Sequence, residues 1–251
     1  MKIYQSPLLK SFSNLTHAFT TRDGGVSKKP YNSLNLAYHV EDNPQDVDAN
    51  HILLESKLNY DKRKLVYMKQ VHSNLVHTID AKDKFDNPPT CDALITDKKN
   101  TPLMVMVADC SPILFYDAKA EVIAVAHAGR EGAFKNIVQN VINTFTNLYN
   151  SHTQDIFVSI GANIGVCCYE VGSEIYEESK KLHLDYAIQI RENSFYLDVN
   201  KILITQLLSC AIKEKNIEIS NECTCCCRDK YFSYRADGIT GRFAGILMMR
   251  E

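Results

Sequence analysis

Apolar positions along the chain alternate between two kinds of pattern. Short β-branched and aliphatic runs at 17–21, 65–68, 75–79, 93–96, 103–108, 113–116, 122–127, 156–160 and 217–219 predict strands. Helical spacing predicts helices over 47–57, entered through Asn43-Pro44, and over 133–149, 173–182 and 199–215. Helices and strands come in irregular order, with several strands adjacent. That order predicts an α/β or α+β fold with a central mixed β-sheet flanked by helices and a site at strand ends. The chain has neither a 20–50-residue repeat nor a Pro/Gly/Ser-rich linker, so a single domain over 1–251 is expected.

The segment 102–132 is the densest in information and reads as strand, strand, turn, strand. If 113–116 and 122–126 form a hairpin with Tyr116 opposite Glu121, the register places Cys110 opposite His127. Directly opposed side chains have Cβ atoms about 4.5–5.5 Å apart, close enough to share one ion. His72, at the end of the run that starts at Leu65, is the third candidate ligand. A His, Cys, His trio suits a catalytic zinc site, whose three protein ligands leave one position open. The same residues also fit two strand-end histidines beside a small buried cysteine.

Composition narrows the function classes. The 251 residues carry 28 Lys+Arg against 30 Asp+Glu, a formal charge of −2 that lacks the basic excess of a nucleic-acid binder. No apolar stretch reaches the roughly 18–20 residues of a membrane span, and the amino terminus has no continuous apolar signal core. A cytoplasmic protein, monomer or weak homodimer, without nucleic-acid or membrane partners is expected. Nine cysteines, an odd number in a chain without a leader pattern, favour free thiols or metal ligands over a disulfide framework. Cys223 and Cys226 have CxxC spacing, half of a zinc ribbon. The adjacent pair Cys167-Cys168 does not supply the usual other half, so packed, reduced thiols are expected there. Gly24-Gly25 after Arg22-Asp23 marks a turn whose open backbone and arginine suit an anion, or simply a surface turn. Ser233-Tyr234-Arg235 before Asp237-Gly238 reads similarly. GxGxxG, P-loop and GxSxG signatures are missing.

Seven ordered segments resemble one family. They are Thr20 through Ser27, Ser33-Leu34-Asn35-Leu36, Gln70-Val71-His72, Ala108-Asp109-Cys110-Ser111-Pro112, His127-Ala128-Gly129, Cys168-Tyr169-Glu170-Val171-Gly172 and Phe232-Ser233-Tyr234-Arg235. Together they look like the purine nucleoside phosphorylase family also called the polyphenol oxidase or laccase-domain family. The resemblance implies one zinc ion per chain at His72, Cys110 and His127. It also implies phosphorolysis of adenosine, inosine, guanosine and methylthioadenosine, and deamination of adenosine. On this reading Arg22 and Arg235 clamp phosphate, and Asn35, Gln70 and Tyr169 position sugar or base. Asp109 orients a zinc ligand or accepts a proton, with Glu131 as a weaker candidate base.

The chain departs from the family pattern twice. His127-Ala128-Gly129 is followed by Arg130-Glu131 where the family usually has Trp-Arg, and Arg235 is followed by Ala236 where a second arginine is usual. Arg130 is the available substitute cation. A multicopper oxidase needs on the order of ten histidines, many in His-x-His pairs. This chain has 8 and no such pair, so copper is expected only in vitro, on the same trio, with weak polyphenol oxidation. A peptidoglycan-editing hydrolase is the alternative of a different class.

Overall fold

Which layer a strand faces is decided by its alternating side chains, and here the central strands of the two larger sheets are apolar on both faces. The computed structural model, which describes residues 1–251, runs β1 (Ile3–Tyr4), α1 (Pro7–Lys10), β2 (Leu15–Thr20), α2 (Pro44–Leu58), β3 (Val76–Thr78), β4 (Ala93–Thr96), β5 (Leu103–Val107), β6 (Ser111–Asp117) and β7 (Val122–Ala128). It continues with α3 (Arg130–Phe134), α4 (Ile137–Tyr149), β8 (Ile156–Ile160), β9 (Glu170–Val171), α5 (Ser173–Lys181), β10 (Ile188–Arg191), β11 (Ser194–Leu197), α6 (Val199–Ser209), β12 (Ile217–Ile219), α7 (Tyr234–Asp237) and β13 (Phe243–Met249). Six strands make a mixed sheet in the order β12-β8-β6-β7-β4-β3, four make an antiparallel sheet β1-β2-β13-β5, and β10-β11-β9 form a small third sheet.

The two larger sheets stack between helices. Ile113 and Phe115 of β6 face Val141 and Phe145 of α4 and Ile202 and Leu203 of α6. Leu114 and Tyr116, pointing the other way, meet Val105, Phe243 and Leu247 of the second sheet. That sheet's outer face, with Met104, Met106 and Ile246, is covered by Leu54 and Leu58 of α2. Strands buried on both sides read as continuous apolar runs, which explains their sequences. The fold class is the expected α/β, with the mixed sheet backed by a second sheet on one side and helices on the other. No helix is long and apolar enough to cross a membrane.

Several details differ from the sequence expectation, the first being the strand expected over 65–68, of which only an isolated bridge from Val66 to Leu103 forms. The helix expected over 133–149 is two helices, because Asn136 takes left-handed φ of 60° between α3 and α4. The helix expected to reach Lys215 stops at Ser209, and Ala211 has φ of 61°. The β6–β7 hairpin pairs Tyr116 with Ile123 rather than with Glu121, so Pro112, not Cys110, lies opposite His127. The turn sets this register. Asp117 accepts the N–H groups of Lys119 and Ala120 at 2.8 and 3.0 Å and Glu121 adopts φ of 53°, so the strands extend to Asp117 and Val122 before the chain reverses.

On the buried face of α2, His51 is fully enclosed, with Nε2 2.9 Å from the Leu36 carbonyl. Burial, together with Lys62, takes its pKa from 6.5 down to about 4. Between those values the unfolded chain binds the extra proton and the folded one does not, so stability falls as the pH falls from about 6.5 to about 4. The loss attributable to this one group is about 3 kcal/mol at the lower end. Urea titrations of the native protein and His51→Gln at pH 7 and pH 5 should show a shallower acid loss in the variant; parallel losses would assign the acid sensitivity elsewhere.

Candidate active site

A cavity of about 510 Å³ opens where β5 and β7 end and β6 begins, walled by Gln70, His72, Cys110, His127, Tyr169, Arg235 and Arg242, among others. That volume is in the range of small-molecule sites, roughly 300–1,000 Å³. At its floor, ligand atoms of His72, Cys110 and His127 all lie within 4.8 Å of one another. Cys110 reaches His127 not as a cross-strand neighbour but from the bend between β5 and β6, where Asp109 takes φ of 89°. His72, likewise on a bend, has φ of 57°.

Asp92 joins the two histidines. Its carboxylate, fully buried just before β4, accepts N–H groups from Val71, His72 and Ser73 at 3.2, 3.1 and 2.7 Å and the Ser73 hydroxyl at 2.7 Å. It also meets His127 Nδ1 at 2.8 Å. Burial would raise this carboxyl, but the donors of His127 and Ser73 hold it at about 2. A carboxylate at that position fixes the proton on Nδ1 and leaves His127 Nε2 for the cavity, the usual arrangement behind a metal-bound histidine. Burial would also raise Cys110, yet His127 and His72 outweigh it and bring the thiol to about 6. Against its own burial, His127 is lifted to about 9 by Cys110 and Asp92. A thiol that ionises this readily, beside two imidazoles, is a donor set suited to zinc.

Gly129 completes the cradle. A Cβ there would stand 2.8 Å from Cys110 Sγ and 3.4 Å from His72 Cδ2. Gly129→Ala should therefore keep the fold but displace the thiol and weaken zinc binding at least about tenfold, a loss comparable to removing an outer partner. Competition with a chromophoric chelator measures this, and unchanged affinity would show that the trio does not share an ion.

The other sequence candidates separate. Asp109, Gln70, Tyr169 and Arg235 line the cavity; Arg22 and Asn35 do not. The Arg22 guanidinium is spent on the carbonyls of Asn32 and Arg228 and sits over the Phe232 ring. The expected pairing of Arg22 with Arg235 is therefore not assembled, because Arg22 ties down its own loop. Asn35, fully buried, accepts the backbone N–H of Arg242 at 2.9 Å. Gln70 pairs both amide atoms with the Met106 backbone, at 2.8 and 3.0 Å. Both Asp109 oxygens are occupied, by Thr224 Oγ1 and the Arg235 N–H, each at 2.6 Å. Arg235 lies 5.1 Å over the Tyr169 ring and donates to the carbonyls of Cys168 and Glu170. Arg130 borders the cavity but pairs with Glu178 at 3.0 Å and Glu131 at 3.4 Å, while Glu131 also takes Lys135 at 2.8 Å and does not line the cavity. Sequence reasoning missed Asp92, His39 and Arg242. A charged residue at the mouth of an apolar strand, as in Cys91-Asp92-Ala93, was the only local signal for the first.

The family model described as multi-copper polyphenol oxidoreductase laccase matches residues 16–250. The chain belongs to that family. Among its relatives, purine nucleoside phosphorylase YlmD of Bacillus subtilis is 31% identical over 93% of this chain and 88% of its own length. Purine nucleoside phosphorylase Cgl2154/cg2365 of Corynebacterium glutamicum is 36% identical over 92% and 93%. Two solved structures superpose closely. Hypothetical protein YfiH of Bacillus licheniformis gives a TM-score of 0.90 at 31% identity, covering 94% of this chain and 93% of that one. YlmD of Geobacillus stearothermophilus gives 0.89 at 29%, covering 98% and 94%.

Proposed function

We propose that the protein is a zinc-dependent purine nucleoside phosphorylase of the cytoplasm, acting on adenosine, inosine, guanosine and methylthioadenosine, with adenosine deaminase activity in the same pocket. The observation that carries this reading is the His72, Cys110, His127 trio opening onto a cavity bordered by arginines. The names of its relatives point the same way. Zinc held by those three residues would supply Lewis acidity at an open position.

In phosphorolysis the bond between C1′ and the base nitrogen breaks, a phosphate oxygen bonds to C1′, and the base leaves with a proton. The chain must hold a polyanion against a sugar carbon in a pocket of limited polarity. Arg235 and Arg242 do this best: both line the cavity and give only Nη1 to two backbone carbonyls, leaving Nε and Nη2, whereas Arg130 is already paired with Glu178 and Glu131. Arg242 takes the part that the sequence suggested for Arg22. Asn35 acts through it by fixing its backbone, and Asp109 fixes the Arg235 backbone in the same way. Tyr169 offers a ring face for the nucleoside. Gln70 shapes the wall, its amide being committed to Met106. Arg242→Ala should raise the KM for phosphate roughly 10–100-fold, the worth of about 1.5–3 kcal/mol for a hydrogen bond to a charged group. Initial rates at varied phosphate check this; an unchanged KM would move the anion site to Arg130.

Adenosine incubated with zinc-loaded protein, with and without phosphate, tests the reading. Adenine with ribose-1-phosphate should form only with phosphate, and inosine in both mixtures. If neither forms, and His72→Ala behaves like the native protein, the nucleoside reading fails and hydrolysis of muropeptide precursors becomes the assay. The family description favours a second reading, copper on the same trio oxidising phenols. Phenol turnover by the copper-loaded protein that exceeds its phosphorolysis would put that reading first.

A further inference from the structure

Behind the Tyr169 wall of the cavity the chain brings together four thiols that its sequence keeps about 55 residues apart. Sγ atoms of Cys167, Cys168, Cys223 and Cys226 all lie within 4.8 Å of one another. Cys226 is 3.6 Å from Cys167 and 3.3 Å from Cys168. The CxxC half-site thus finds its second half in the adjacent pair Cys167-Cys168. Such a pair escapes a spacing search, but it works here because the chain turns at 166–168. We propose that these four cysteines form a second metal site, a closed structural zinc site distinct from the His72, Cys110, His127 trio.

The geometry argues for one ion. A tetrahedral zinc with Zn–S bonds of about 2.3 Å sets its sulfurs about 3.8 Å apart, close to the separations found here and too tight for a cluster of several irons. Four protein sulfurs leave no open position, the mark of a structural site. The surroundings are built for it. Gly165 donates its N–H to Cys223 Sγ at 3.2 Å, and a Cβ on Gly165 would come within 3.2 Å of Cys167 Sγ and of Cys223 Cβ, so a larger residue there would crowd both ligand segments. The two ligand segments are already laid side by side: Thr224 N–H donates to the Asn163 carbonyl at 3.0 Å, and Asn163 and Cys223 form a parallel bridge. Cys227 packs against the inter-sheet core, and Cys225 lies outside the set of four.

Zinc binding releases the thiol protons and joins the 163–169 segment to the 223–227 segment. The joined segments carry contacts of the cavity wall. The Cys168 carbonyl accepts from Arg235, Thr224 Oγ1 donates to Asp109, and Tyr169 follows Cys168 directly. The site is therefore placed to hold that wall, without touching anything bound in the cavity.

Metal analysis of the full chain, purified under reductant without chelator, should find about two zinc ions per chain, falling to about one in Cys110→Ala. Cobalt replacing the ion left in Cys110→Ala should show the intense visible bands and thiolate charge transfer of tetrahedral sulfur ligation. Cys223→Ser/Cys226→Ser should lose that ion, and chelation should increase hydrogen exchange over 163–171 and 223–235. A metal-free Cys110→Ala whose thiols all react freely would overturn the proposal. So would a mass lighter by two hydrogens per disulfide among these cysteines, or iron in place of zinc.

Discussion

Cys110→Ser is expected to leave a folded protein that no longer holds zinc at the His72–His127 pair and has lost phosphorolysis by more than the roughly 10–100-fold that an outer partner is worth. The side chain is nearly the same size, so packing changes little. What changes is the donor. A serine hydroxyl stays protonated at neutral pH, whereas the Cys110 thiol is drawn to about 6 by the histidines on either side. Without the thiolate, two imidazoles remain, one of them, His72, on an exposed bend. Zinc titration and single-turnover release of base, measured on the same sample, check this. Normal metal content with lost turnover would make Cys110 a nucleophile or base rather than a ligand, and normal turnover would remove the trio from the chemistry.

The reach of sequence reasoning here followed the range of the physics. Elements that declare themselves within a few residues were legible: 93–96, 156–160 and 217–219 coincide with β4, β8 and β12, and 173–182 overruns α5 by one residue. Of the strands not predicted, β1, β9, β10, β11 and β13, the last lies at the centre of the second sheet, between β2 and β5. Its FAGILMM run, fully buried, carries no alternation, and a short continuous apolar run does not distinguish strand from buried helix. The trio was reached through a hairpin register that is two residues off. A slip of two preserves which face each side chain takes, so His127 stays on the correct face while Cys110 arrives from a bend. Arg22 and Arg235 looked equivalent as arginines in glycine-flanked turns. Both donate to two backbone carbonyls and lie over an aromatic ring, and only the tertiary fold separates them, by placing Arg235 at the cavity and Arg22 away from it. The cysteine quartet and Asp92 were beyond reach for the same reason: their partners lie tens of residues away.

Asp92→Asn carries the second large effect, and it acts on the metal without touching it. In the native protein one carboxylate receives five donors, from three consecutive backbone N–H groups, the Ser73 hydroxyl and His127 Nδ1. An amide of the same shape has one accepting oxygen, and its NH₂ must face at least one of those donors. If the NH₂ faces His127, the ring answers by moving its proton to Nε2, the nitrogen that should meet the ion. If it faces the other side, the Val71 and Ser73 N–H groups that flank His72 lose their acceptor instead, while the His72 N–H keeps the oxygen it shares with His127. Either way zinc affinity should fall about 10–100-fold. Stability should change with a recognisable pH dependence in the metal-free protein. Asp92 is held at about 2 against an ordinary 3.8, so the stability it contributes is complete above about 3.8 and lost as the pH falls toward 2. That contribution is about 2 kcal/mol. The variant should therefore be less stable at pH 7 and show a flatter acid limb, while ¹⁵N spectra of His127 recorded above about pH 9, where the native ring is neutral, report the exchanged tautomer. Native-like zinc affinity with an unchanged His127 tautomer would mean that Asp92 serves packing alone, and that the orientation of the histidines is set by the cradle around Gly129.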